Sequence, residues 1–286
     1  MVEKTKKTLL VSFLCMILLC ILVFVWLVSF MSRKSEATIS DIGIIYMSEM
    51  NKQMQQKFEA IVGIRVSQIQ GIIRRNAPEM YVYGQEMVEE LQLSASVREF
   101  AYLGLYADDG SCETIYGEPV EMVDTKAFFQ SINNEKKSKT NGTNTAGERL
   151  LLLGCSAQYP MEGGTKSIAL VAGFPMSYLE QTLVLDGDGA LMYSHIIHND
   201  GSFVVRSGEA YRDNYFHRVK EMFQEYNGKT AEDYERELME AIQQKKEYSE
   251  LIMVDGTHRH LYCSSLPETE WYLVSVMPYG VLDDAI

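Results

Sequence analysis

The chain has 286 residues, is 47% hydrophobic and carries a net charge of -13. That length and apolar content suffice for one large domain or two small ones with a real core. Residues 1–34 hold five basic residues and one acid, which leaves 21 basic against 38 acidic side chains in the remainder; a body this acidic, with no basic stripe, excludes nucleic acid as a partner.

Residues 9–31, LLVSFLCMILLCILVFVWLVSFM, run 23 positions without a charge. At ~1.5 Å per residue they span a ~30 Å hydrocarbon layer. A cleavable signal peptide would have an apolar core of ~7–15 residues and a small-residue cleavage site. This run is longer and ends Val-Ser-Phe-Met-Ser-Arg-Lys, so an uncleaved transmembrane helix is expected. Lys4, Lys6 and Lys7 precede it, and Arg33 and Lys34 follow. That excess predicts residues 1–8 as a cytoplasmic tail in a cell-membrane protein whose body is extracytoplasmic. Cys15 and Cys20 lie in the span, which leaves Cys112, Cys155 and Cys263. An odd three cannot all pair internally. They read as isolated buried thiols, or Cys112 and Cys155 form a disulfide if two strands bring them together.

Residues 36–75 carry apolar side chains at Ile42, Tyr46, Met50, Met54, Phe58, Ile61, Ile64, Ile69 and Ile72. Steps of three and four predict an amphipathic stalk helix about 50 Å long, uninterrupted before Pro78. One stripe can face its own domain and another a dimer partner. A second helix is expected over 80–98.

From Phe100 the period changes. AYLGLYADDGSCETIYG reads as strand, turn, strand, with Gly in the strained turn position. Residues 123–133 predict a short helix, 133–148 a polar loop, and RLLLLGCSAQYP and KSIALVAGFPMSYL two strands. The second half follows the same order. ALMYSHIIHNDGSFVVRSG is another hairpin, AYRDNYFHRVKEMFQEYN is helical, and TAEDYERELMEAIQQKK is a charged, exposed helix. Three strands close the chain.

The repeat holds letter by letter. Asp109-Gly110-Ser111 with Gly117 matches Asp200-Gly201-Ser202 with Gly208. DTKAFF, ending at Phe129, matches RDNYF, ending at Phe216. VAGFPMSYL, from Val171, matches VSVMPYGVL, from Val274. Three matches in one order predict a duplicated α+β module, with units at 100–184 and 185–286 after a helical region at 36–99. The Asp-Gly-Ser frame is then the first hairpin of each copy, a turn signature.

The membrane span, the stretch ISDIGIIYMSEMNKQMQQKFE, the two Asp-Gly-Ser hairpins and the endings AGFPMSYL and EWYLVSVMPYG resemble the double Cache (dCache) sensor regions of bacterial transmembrane receptors. The resemblance covers essentially the whole chain and rests on architecture. It implies an α+β fold with an N-terminal transmembrane helix, a long stalk helix and two tandem PAS-like antiparallel-sheet modules. The opening and ending look like sensors of hybrid histidine kinases. No kinase His box, ATP-binding glycine box or GGDEF motif is in the chain, so the resemblance implies an effector beyond it. Diguanylate cyclases and chemoreceptors carry similar sensors. A membrane-anchored protein-binding scaffold is a further alternative.

The family implies a small-molecule ligand in the membrane-distal first module and a homodimer through the stalk. Amino-acid-binding relatives carry Tyr-x4-Arg-x-Trp-Tyr there. The matching positions are Glu121, Lys126, Phe128 and Phe129. Lys offers a point charge where Arg offers a fork, so the amino-acid clamp is lost. Lys126 with Phe128 and Phe129 could hold another anion or an apolar ring; alternatively both rings are core and Lys126 is solvated. Tyr102, Tyr116, Arg149 and Tyr159 are further pocket candidates. The five histidines, between His195 and His260, read as exposed loop residues rather than metal ligands. No cofactor is implied. No G-x-S-x-G, H-E-x-x-H, P-loop or placed carboxylate pair points to an enzyme.

Overall fold

The computed structural model describes residues 2–183, 192–206 and 213–278, with side chains over 16–31 and from residue 42 onward. Gly208, the junction between the modules at 184–185 and the last four residues of the second VxxxPxxxL match lie outside the described residues. So do the side chains of the basic flanks of the apolar run.

A single helix, α1 (Val2–Arg75), continues from the apolar run into the stalk. No proline interrupts it, and at ~1.5 Å per residue it measures about 110 Å. The described apolar side chains, from Met16, are exposed, as Phe24 and Trp26 show. Among the described residues no helix is long and apolar enough to cross a membrane, and residues 9–15 are not among the side chains described.

The expected stalk stripe is present at Met54, Phe58, Ile61, Ile69 and Ile72, with Tyr46 and Met50 half-buried against the core. Met47, Asn51, Met54, Phe58, Ile61, Val62, Ile69 and Ile72 are buried, whereas Ile42 and Ile64 are exposed. The polar Asn51 also sits inside the stripe, a member that hydrophobicity alone does not reveal. The chain then turns through a short 3₁₀ segment, Pro78–Met80, into α2 (Gln85–Val97), a shorter helix than expected.

The first sheet comprises β1 (Tyr102–Tyr106), β2 (Cys112–Gly117), β3 (Val120–Met122), β4 (Lys137–Asn144), β5 (Arg149–Ser156) and β6 (Ala169–Pro175). Helix α3 (Thr125–Glu135) joins β3 to β4, and α4 (Met176–Leu183) follows β6. The second comprises β7 (Tyr193–His198), β8 (Phe203–Val205), β9 (Phe223–Gln224), β10 (Tyr248–Val254), β11 (Thr257–Ser265) and β12 (Trp271–Pro278), with α5 (Tyr215–Met222) and α6 (Ala231–Gln243). Strand order is β2-β1-β6-β5-β4-β3 in one and β8-β7-β12-β11-β10-β9 in the other. These are the same order strand for strand, and every pairing is antiparallel.

The duplicated frame recurs at the level of atoms. In the first turn Asp109 Oδ1 accepts from the Ser111 amide at 2.9 Å, and Gly110 has φ +85°. In the second Asp200 Oδ1 accepts from the Ser202 amide at 2.9 Å, and Gly201 has φ +83°. Ala107 N–H donates to Ser111 O, and His198 N–H to Ser202 O. The Asx turn with a left-handed glycine is therefore the shared element.

Four expectations need correction. The stretch 133–148 is mostly strand β4, because its polar side chains reach partners: Lys137 and Lys139 bind Glu268 of the second sheet. Helix α6 is not simply exposed; it buries Tyr234, Leu238 and Ile242. The DTKAFF and RDNYF segments both end in capped helices, through Asp124 and Asn214. Connectivity nonetheless matches α3 to α6, each leading from the far edge strand to its neighbour, and α5 is an addition. Cys112 and Cys155 do not pair: β1 and β6 separate their strands, and both thiols are free.

The core sits largely on α1. One cluster joins Met54, Phe58 and Ile69 of the helix to Leu151 and Leu153 of the first sheet and to Trp271 and Leu273 of the second. Burying a side chain such as Phe58 contributes ~1.5–3 kcal/mol. The opposite face of each sheet has its own cluster, under α3 in one module and under α5 and α6 in the other.

Candidate functional site

The first sheet presents Tyr102, Gly104 and Tyr106 of β1 to the side away from α1, since alternate residues share a face. Gly142, Leu152, Gly154, Val171 and Gly173 share that face by register. The glycines make room for large rings. A Cβ at Gly104 would lie 2.1 Å from Tyr102 Oη, and one at Gly154 would lie 2.5 Å from Phe128 Cζ. Helix α3 closes the face with Phe128, buried, and Phe129, half-buried. Phe129 packs at 5.8 Å from the Tyr106 ring and 5.7 Å from Phe128.

The polar content is concentrated in one chain of groups. Tyr102 Oη is 2.9 Å from Tyr106 Oη and 3.2 Å from Cys112 Sγ. Burial, reinforced for Tyr102 by the neighbouring Tyr106 and Cys112, pushes both phenols well above the usual tyrosine range. They are neutral hydroxyls able to donate and accept. Cys112, at the sheet edge, is exposed. The line of hydroxyl, hydroxyl and thiol therefore leads from a sealed interior to solvent. Chemically this face offers aromatic and apolar surface beside two hydroxyls and a thiol. It holds no charged group of its own.

Of the seven residues expected to line a pocket, the structure brings together Tyr102, Phe128 and Phe129. Lys126 lies on the outer side of α3, exposed. Tyr116 pairs with Leu103 and belongs to the opposite face, where it lines an open groove with Gln92 and Leu93 of α2. Tyr159 is fully buried on the α1 side and donates to the Asn76 carbonyl at 2.6 Å. Arg149 reaches across to the second sheet and donates to Phe203 O at 2.8 Å and to Val204 O. Tyr106, Cys112 and the four glycines were missed. The i, i+2, i+4 spacing of Tyr-Leu-Gly-Leu-Tyr carried the signal for the first of these.

The histidine expectation also changes. His195 and His260 are buried strand residues, 2% and 3% exposed. The Phe203 and Tyr215 rings flank His195, and burial, with Arg218 and Arg206 nearby, holds its pKa down to about 3.

Two PAS-like sheets of identical strand order, served by one long helix, define the double Cache fold, and this chain has it. The ligand-binding domain of the Pseudomonas aeruginosa amino acid chemoreceptor PctB in complex with L-Gln superposes with a TM-score of 0.57 at 12% identity, covering 84% of this chain and 93% of that one. That of the Pseudomonas fluorescens chemoreceptor CtaA with L-alanine gives 0.56 at 13%, covering 82% and 96%. The sensory domain of the Campylobacter jejuni chemoreceptor Tlp3 with isoleucine gives 0.53 at 8%, covering 87% and 97%. No protein-family model and no curated protein matches the sequence.

Proposed function

We propose that the chain is the extracytoplasmic ligand-sensing region of a membrane signal-transduction receptor, itself without catalytic activity. The observation that carries this reading is continuity. One helix leads from the apolar run at residues 9–31 to the cores of both sheets, so a change at either sheet has a rigid path to the membrane. In this reading residues 9–31 span the membrane with the N-terminus inside, and the exposed side of α1 around Ala60, Gly63, Ile64 and Gly71 is the homodimer seam. The ligand is a small molecule held on the Tyr102–Tyr106–Phe129 face of the first module. The solved neighbours bind amino acids, which supports a small ligand. The Lys and Phe residues at positions 126, 128 and 129 argue for a different class, one with an apolar or aromatic body and a hydroxyl-matching edge. The effector is a hybrid histidine kinase, on the resemblance of the ISDIG opening and EWYLVSVMPYG ending; a chemoreceptor or diguanylate cyclase is the alternative.

A thermal-shift screen of the purified chain tests the ligand reading, since stabilisation grows with saturation. The panel is organic acids, amino acids, purines and sugars. A reproducible hit that Tyr106→Phe or Phe129→Ala abolishes supports it, and a hit indifferent to both removes the first-module assignment. One observation favours a second reading, an anchored scaffold for a partner protein. The chain's own rings fill the sheet face, with Tyr102 and Phe128 occupying the space above Gly104 and Gly154. Co-purification of a stoichiometric partner with no hit in the screen would support that reading.

A further inference from the structure

The second sheet carries a cavity on the face that corresponds to the phenol face of the first. The turn atoms align residue 107 with 198, so Tyr193 takes the place of Tyr102 and His195 that of Gly104. The cavity measures about 30 Å³ and is lined by Tyr193, His195, Tyr215, Arg218 and Arg259, with apolar walls from α5, β10 and β12. That is room for a few heavy atoms, since one water needs ~10–15 Å³ on this measure.

Among the described residues the lining has two guanidinium groups and no carboxylate. Arg259 donates through Nη1 to Tyr193 Oη at 2.8 Å and through Nε to Thr257 Oγ1 at 3.4 Å. Arg218 has no ion pair among the described residues, and its buried Nη1 has no hydrogen-bond acceptor. In a chain with 39 acidic residues, two arginines that converge with no acid among the described lining residues are a departure that needs a cause. A buried donor nitrogen left without an acceptor is a cost that folds rarely retain. A ligand that accepts hydrogen bonds from planar forks removes that cost, and a carboxylate has the matching geometry.

We propose that this cavity is an anion site for a compact carboxylate, bound between Arg218 and Arg259 with the Tyr193 hydroxyl completing its shell. It is separate from the first-module ligand face and does not depend on that assignment. Binding would fasten α5 to β7 and β11, the elements that carry the two arginines and the tyrosine.

The test uses the full chain in detergent micelles with sodium formate as the probe. Melting temperature is followed against formate at constant ionic strength, with sodium chloride as the balancing salt. The expected result is a saturable, formate-specific rise. Its midpoint should move at least tenfold in Arg218→Gln and in Arg259→Gln. It should not move in Arg236→Gln, an exposed site on α6 bound to Asp233, nor in Tyr106→Phe. If Arg218→Gln does not fold, Arg218→Lys decides: it keeps the charge, loses the fork and should weaken formate several-fold. An unchanged response in that variant overturns the site. So does a rise that chloride reproduces, which would make it a halide site, or no saturable rise, which would mean a water-filled cavity only.

Discussion

Arg149, at the start of β5, donates through Nη2 to the Phe203 carbonyl of β8 at 2.8 Å and to the Val204 carbonyl beside it. A side chain of the first sheet thus ends on the main chain of the second. Its partner contacts on the other flank are Lys137 and Lys139, which bind Glu268 in the β11–β12 hairpin. The modules are clasped at two points beyond their shared helix. Arg149→Ala should lower stability by about 1.5 kcal/mol, the low end of the range for a hydrogen bond to a charged group, because the side chain is part-exposed. Amide exchange should rise at Val204 and Val205 and stay unchanged at β10. A uniform rise across the chain would show that Arg149 supports folding generally and does not clasp the modules.

The two Asp-Gly-Ser turns allow a matched comparison. Gly110 and Gly201 have nearly equal positive φ, but a Cβ at Gly110 meets nothing within 4 Å, whereas one at Gly201 would lie 2.3 Å from the Phe216 ring. Gly110→Ala should therefore cost only the left-handed backbone, about 1 kcal/mol. Gly201→Ala should add ring displacement, for roughly 2–4 kcal/mol in all. Urea midpoints of the two variants check the order; equal losses would mean that Phe216 moves aside without cost.

The hairpins, the order of elements and the duplication were legible because turns need particular residues, and Asp, Gly and Ser supply them at fixed offsets. Strand β4, Lys-Ser-Lys-Thr-Asn-Gly-Thr-Asn, was not. Its polarity is answered by Glu268, 129 residues from Lys139, and no local pattern contains that. The candidate site was half legible. Tyr102, Phe128 and Phe129 share a face, but Tyr116 and Tyr159 lie on the opposite one, and the choice of face follows from packing that the strand sequences alone do not encode. Asn51 broke the stalk stripe for the same reason, its partners lying more than 200 residues away.

His195 sets a pH dependence whose sign follows from burial. The folded chain holds its pKa to about 3, against an ordinary value of 6.5. Between those values the unfolded chain binds more protons, so stability is full above pH 6.5 and is lost as pH falls towards 3. The ceiling is roughly 5 kcal/mol at one pKa unit per ~1.4 kcal/mol. Among the described residues the charges that act on the imidazole are the cations Arg218 and Arg206, which add to the effect, and the rings packed on it, Tyr193, Phe203 and Tyr215, bring no anion. His195→Gln should flatten the melting-temperature profile between pH 6.5 and 4 relative to the parent chain. Parallel profiles would show that the carboxylates alone govern acid loss.

Asn51 determines how α1 is held to the second sheet. Ser275 Oγ donates to Asn51 Oδ1, and Asn51 Nδ2 donates to Ser264 Oγ at 3.5 Å. Ser194 and Ser275, paired across β7 and β12, place their hydroxyls 2.7 Å apart. All four residues are buried, at 0–2% exposure. Apolar contacts along α1 would tolerate a small slide or rotation, because they are non-directional. Hydrogen bonds in a dry core do not, and each orphaned hydroxyl costs ~1–3 kcal/mol. Asn51→Ala should therefore destabilise by about 2–3 kcal/mol, and amide exchange should rise in β7 and β12 while β1 and β6 stay protected. In a cycle with Ser275→Ala the two changes should couple by roughly 0.5 kcal/mol or more, as contacting residues do. Strict additivity would mean that the helix is held by apolar packing alone. A coupled pair would make this network the fixed joint through which movement of the stalk helix and the second sheet are transmitted together.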